Sequence, residues 1–110
     1  MTTRPTQQLK QLLAGRVAVT VPGAANALFA RMIEDLGFKA VYVTGAGIAN
    51  MSLGVPDIGL TTLPEIAGQV GAIADAVALP LIVDADTGFG NAVNMVRTIR
   101  TLERAGAAGI

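Results

Sequence analysis

The chain has 110 residues with eight basic and eight acidic side chains and a formal net charge of zero, so it is one small domain without the basic surface that nucleic acid or an anionic membrane requires. It contains no cysteine, which excludes disulfides, thiolate metal sites and a thiol nucleophile within these residues. Hydrophobic residues make up 52% of the chain but aromatic ones only 4%; Ala, Val, Leu, Ile and Gly do the filling, which suits helix-on-sheet packing in an α/β protein.

The N-terminus, Met1 to Pro5, is polar and leads into TQQLKQLLAG, which lacks the apolar run of a signal peptide. No stretch approaches the length that spans a bilayer, so a soluble cytoplasmic protein is expected. Leu9, Leu12 and Leu13 fall at helical spacing over residues 6–14 and stop at Gly15, which predicts a short helix. The β-branched run VAVTV, 17–21, bounded by Pro22 and Gly23, predicts a strand. In NALFARMIEDLG, Leu28, Met32 and Leu36 recur four apart beside Phe29 and Ile33, an amphipathic helix closing on Gly37. AVYVT, 40–44, is a second strand. It exits into a Gly-containing segment, 45–62, too long for a routine connection and therefore expected to be functional. A third helix is predicted over 62–77 with Thr62 as N-cap and Pro64 in its first turn. LPLIVDAD, 79–86, is the third strand, and 91–106 a further helix with Asn91 as cap and Gly106 as stop. AAGI then begins another apolar element.

Strands alternating with helices imply right-handed βαβ units and a parallel sheet. A doubly wound open sheet fits the length, whereas a (β/α)8 barrel fits the strand exits, each ending in small or polar residues that would share one rim. A barrel needs about 250 residues, so this chain would supply just under half of one. Because the chain breaks off at a strand start, a fragment is expected.

Three stretches could carry chemistry. In VTGAGIAN, 43–50, Gly45 and Gly47 resemble the opening of a dinucleotide fingerprint, but Asn50 holds the third glycine position and a whole βα unit precedes it. The segment offers backbone N–H groups to a carboxylate or phosphate; equally, it is a loop whose glycines need positive φ. In SLGVPDIGLTTLPE, 52–65, Asp57 stands in an apolar surround and either caps a local turn or faces a site. In LPLIVDADTGFGNAV, 79–93, Asp84 and Asp86 are two apart and would share a face if the strand continued. Their repulsion is relieved by a hard cation such as Mg²⁺, or else they form a solvated Asp-rich turn.

Taken together, VYVTGAGIANMSLGVPDIGLTTLPEI and PLIVDADTGFGNAVNMVRTIRTLERAGAAGI resemble the N-terminal half of the isocitrate lyase/phosphoenolpyruvate mutase superfamily. The likeness is nearest to its 2-methylisocitrate lyase, dimethylmalate lyase and oxaloacetate decarboxylase branch, and runs from about residue 8 to the last residue. The resemblance implies about three and a half βα units of a (β/α)8 TIM barrel and a homotetramer. It also implies Mg²⁺, with Mn²⁺ as a substitute, and a small α-keto or α-hydroxy di- or tricarboxylate cleaved or decarboxylated through a pyruvate-type enolate. It makes Asp84 the direct metal ligand, in contact with substrate as well, and gives Asp86 and the catalytic Asp57 the metal's waters. Thr44, Gly45 and Ala46 match the family's substrate-carboxylate loop, usually Ser-Gly-Gly in methylisocitrate lyases; Thr keeps the hydroxyl and Ala replaces a glycine. The acid/base loop containing Cys that follows the fourth strand in the lyases is not among these residues. Three other readings stand beside this one: a non-catalytic truncated remnant of such an enzyme, phosphoenolpyruvate mutase-type activity in the full-length protein, and a doubly wound nucleotide-binding domain.

Overall fold

The computed structural model describes residues 3–110. Helix α1 spans Pro5–Ala14, with proline in the first turn, where its missing N–H costs nothing. Strand β1 is Gly23–Ala24 and helix α2 Ala27–Asp35. The Asn26 side chain accepts from Phe29 N–H at 3.0 Å, and Gly37, at φ +90°, ends the element. Strand β2, Val41–Val43, runs into α3, Gly45–Ile48, which continues as a π-helical turn, Ala49–Leu53, and stops at left-handed Gly54. Helix α4 is Leu63–Ala76, strand β3 Leu81–Val83 and helix α5 Asn94–Ala105.

The strands pair in parallel in the order β1-β2-β3, with Gly23 opposite Tyr42 and Val43 opposite Val83. Ile82 bridges Gly109 in parallel, so residues 108–110 begin a fourth position in the sheet. Sequential order decides between the two architectures. A doubly wound sheet reverses direction and places helices on both faces, whereas right-handed crossovers in unbroken order place every helix on one side, as in a barrel. Alternation along the strands agrees. Val41, Val43, Leu81 and Val83 are buried under Ala30, Ile33, Ile66, Val70, Ile73 and Leu102 of the helices, while Tyr42 and Ile82 face the other way and are more exposed.

Two sequence expectations fail. Residues 17–21 form no strand; β1 lies further on, where Pro22 O accepts from Tyr42 N–H at 2.9 Å and Ala24 O from Thr44 N–H at 3.2 Å. β-propensity needs a partner, and the register puts 17–21 before the start of β2. Nor does α2 bury the predicted stripe. Ala30 and Ile33 face the core, while Leu28, Met32 and Leu36 are 66%, 50% and 74% exposed. Small Ala30 lets the helix lie close to the sheet, and that approach sets the rotation. The other elements form where expected, α1 starting one residue earlier and the rest with shorter bounds. Asn91 caps as predicted, but from three residues ahead of α5, accepting from Val93 N–H at 3.0 Å and Asn94 N–H at 3.2 Å.

Candidate active site at the carboxyl ends of the strands

The sequence from Asp84 to Gly90 leaves the end of β3 as a tight turn. Asp84 N–H still donates to Val43 O at 3.1 Å, the last rung of the ladder. The chain then folds back: Asp86 has φ +49°, Gly88 +99° and Phe89 +59°. Asp and Gly enter this left-handed region readily, but an aromatic residue there is strained by about 1–3 kcal/mol and persists only where its surroundings hold it. The strand therefore does not continue through both acids, and they do not share a strand face. Asp84 is half-buried and Asp86 exposed.

Asp84 joins two loops. Its Oδ1 accepts from Asp86 N–H at 2.9 Å, closing the turn, and its Oδ2 accepts from Gly45 N–H at 3.3 Å, at the start of α3. Each carboxylate oxygen keeps a further lone-pair direction. The glycines of TGAG follow from this approach. Neither has positive φ among the described residues, contrary to the loop reading; a Cβ on Gly45 would lie 2.9 Å from Asp84 Oδ2, and one on Gly47 would strike the Thr44 methyl group. Thr44 folds over its own helix as N-cap, its Oγ1 accepting from Gly47 N–H at 3.1 Å. Its N–H is spent in the ladder on Ala24 O. Of the amides of Thr44, Gly45 and Ala46, the Ala46 N–H is the one left to the first-turn orphan set of the helix.

Tyr42 stands beside these groups and is absent from the motif-based site. Its hydroxyl ionises above the ordinary tyrosine value of 10.0, first because burial disfavours the phenolate, then because of the charge and acceptor oxygens of nearby Asp84, and last because of Asp57. Asp57 lies on the exposed loop after the π turn, and its charge reaches Tyr42 more weakly than that of Asp84. Alternation offered a signal: between Val41 and Val43, the one residue of VYV with a hydroxyl must point away from the helices. Asp86 turns toward the other loop. A Cβ on Gly59 would lie 3.9 Å from its Oδ2, and Gly59, Thr61, Leu63, Asp86, Thr87 and Phe89 line a cleft of about 500 Å³.

The donor set is all oxygen, from carboxylates and hydroxyls, in a chain with no histidine or cysteine, which suits a hard divalent cation and no soft one. No three acidic, histidine or cysteine side chains among the described residues gather into a metal-holding group. In number and chemistry, two carboxylates are enough for Mg²⁺, which keeps several of its waters and needs only one or two from the protein.

A sequentially wound parallel sheet with acidic and amide groups at the carboxyl ends of its strands defines part of a (β/α)8 barrel with its site at the usual rim. Residues 9–110 match the family model described as phosphoenolpyruvate phosphomutase, and the chain belongs to this family, within the isocitrate lyase/phosphoenolpyruvate mutase superfamily. It is 48% identical over 103 residues to the 2,3-dimethylmalate lyase of Eubacterium barkeri, covering 94% of this chain and 36% of that protein. Against the 2-methylisocitrate lyase of Aeropyrum pernix it is 50% identical over 107 residues, covering 97% and 34%. A crystal structure of phosphonopyruvate hydrolase in complex with oxalate and Mg²⁺ superimposes with a TM-score of 0.90 at 35% identity, covering 96% of this chain and 37% of the other. The chain thus spans about a third of the length of the relatives it matches. No helix among the described residues is long and apolar enough to cross a membrane.

Proposed function

We propose that these residues supply the metal-holding and carboxylate-binding part of a cytoplasmic, Mg²⁺-dependent carbon-carbon lyase or decarboxylase. Its substrate is a small α-hydroxy or α-keto di- or tricarboxylate, and its product a pyruvate-type enolate. The observation that carries the reading is Asp84, anchored by backbone N–H groups from two loops with lone pairs to spare. Asp84 holds the cation directly; Asp86, and Asp57 in the catalytic set, hold its waters. When bound, Mg²⁺ supplies positive charge beside the oxygen on which the enolate gathers its charge. Ala46 N–H offers a hydrogen bond to the substrate carboxylate. Thr44 Oγ1, already an acceptor in its cap, still has its proton to give, and Gly45, without a Cβ, lets the start of α3 close on Asp84. Tyr42, kept neutral, places a donor against the same acid. The names of the lyases at 48% and 50% identity support the reaction class, and the Mg²⁺ and oxalate complex of a structural relative supports the cation and an α-keto-acid-like ligand. A homotetramer belongs to the same reading.

Turnover of methylisocitrate, dimethylmalate and oxaloacetate, each with Mg²⁺ and with chelator, tests it. Mg²⁺-dependent release of a keto acid from any of them is expected, and no turnover together with no Mg²⁺ binding overturns it. A second reading is a non-catalytic remnant that keeps the cation site; Mg²⁺ binding without turnover would select it.

A further inference from the structure

Thr98 is the one fully buried polar side chain among the described residues, 1% exposed on α5. A threonine inside a helix ordinarily returns its hydroxyl to the carbonyl four residues back in the same helix. Thr98 instead donates from Oγ1 to Gly88 O at 2.7 Å, ten residues back and outside the helix. Gly88 is itself buried and lies between the two non-glycine residues of positive φ, Asp86 and Phe89. The turn's own hydrogen bonds, Gly88 N–H to Ala85 O at 2.8 Å and Asp86 N–H to Asp84 Oδ1 at 2.9 Å, close it upon itself. They close the turn locally, whereas the Thr98 bond ties its Gly88 carbonyl to the helix layer, beside the packing of Met95 against Gly88. Valine has threonine's shape without the hydroxyl, so packing alone does not call for threonine here.

We infer that Thr98 is a positioning residue: its hydroxyl, through Gly88 O, holds the strained turn in the one placement that aims the Asp86 and Asp84 carboxylates at a common cation. The inference rests on the proposed role of those two acids. Thr98 hydrogen-bonds to Gly88 O and not to Asp84 or Asp86, so its influence runs through the backbone.

The experiment compares Thr98→Val, Thr98→Ser and, as a control for stability, Ile73→Val. Ile73 is buried on α4 beside Ala74, which faces Gly106 at the far end of α5. Mn²⁺ affinity of the protein, measured well below each unfolding temperature, is expected to fall about tenfold or more in Thr98→Val, the usual scale for groups that orient a metal's ligands. It should stay within about twofold of the parent in Thr98→Ser and Ile73→Val, neither of which removes a hydrogen bond. Without metal, amide hydrogen exchange at Asp86 and Gly88 is expected to speed up in Thr98→Val and not in Ile73→Val. Unchanged affinity and exchange in Thr98→Val, or equal losses in Ile73→Val, overturn the inference. If Thr98→Val fails to fold, Thr98→Ser still decides, since a tenfold loss with the hydroxyl retained refutes the hydrogen-bond role. Absence of Mn²⁺ binding in the parent would strike the proposed function instead, and the metal-free exchange would still judge the positioning.

Discussion

Gly45 donates its N–H to Asp84 Oδ2 at 3.3 Å across 39 positions of sequence. That bond seats the start of α3 against the end of β3 and leaves no space for a side chain at position 45, where a Cβ would fall 2.9 Å from the acceptor. Two elements that the sequence presents as separate motifs become one site through it.

The acid in that pair should govern the cation. Asp84→Ala is expected to abolish Mg²⁺ or Mn²⁺ binding and to free both the Gly45 and the Asp86 amides, as seen by calorimetric titration and by amide exchange. Asp84→Asn keeps an acceptor for the turn yet lacks the charge, so it should fold and still lose the metal. Unchanged Mg²⁺ affinity in Asp84→Ala would refute the assignment.

Position 45 sets helix propensity against collision. Alanine is favoured over glycine in a helix by about 1 kcal/mol, and a Cβ added at Gly68 or Gly71 of α4 would meet nothing within 4 Å. Gly68→Ala and Gly71→Ala should therefore raise stability by roughly 0.5–1 kcal/mol. Gly45→Ala should lower it by about 1–3 kcal/mol, the usual scale of overpacking, and weaken metal binding with it. Denaturant melts of the three variants make the comparison, and a stabilised Gly45→Ala would count against the close approach.

Tyr42 can be watched directly, because the chain has one tyrosine and no tryptophan. Its phenolate absorbance should appear above pH 10.0, and Asp84→Asn should bring the midpoint down by removing the second-largest cause. The linkage sign is fixed by the direction of the shift. The native state holds its proton more tightly than the unfolded chain, so this stabilisation is complete below pH 10.0 and declines as pH rises through the native midpoint. A midpoint at or below 10.0 in the parent would be contrary evidence.

The start of α4 carries the opposite sign. Glu65 Oε1 accepts from Thr62 N–H at 3.0 Å and from Thr62 Oγ1–H at 2.8 Å, and these bonds hold its pKa below 4.5. Its contribution is present above pH 4.5 and lost as pH falls through the native value. Acid unfolding of Glu65→Gln should show a shallower dependence on pH in that window than the parent, and identical acid profiles would remove the capping role.

The sequence alone determined the order of helices and strands and the parallel connectivity, and singled out the candidate acids, because periodicity, caps and turn residues act over a few neighbours. The caps at Thr62 and Asn91 and the stops at Gly37 and Gly106 are of that kind. It could not rotate α2, whose face is set by how closely Ala30 lets the helix approach the sheet, nor place β1, because only the register against Tyr42 shows where a partner exists. The site divides in the same way. Asp57, Asp84 and Asp86 stand out as acids in apolar or strand-end settings, whereas Tyr42 and Thr98 look like ordinary strand and helix residues until the structure shows where their hydroxyls point. The tertiary structure alone decided that Gly45 is needed for closeness and not for φ, and that the third strand stops at Asp84. The first depends on groups 39 residues apart meeting in space, and no local pattern encodes the position at which two separate segments touch; the second shows only in the left-handed backbone of Asp86, Gly88 and Phe89.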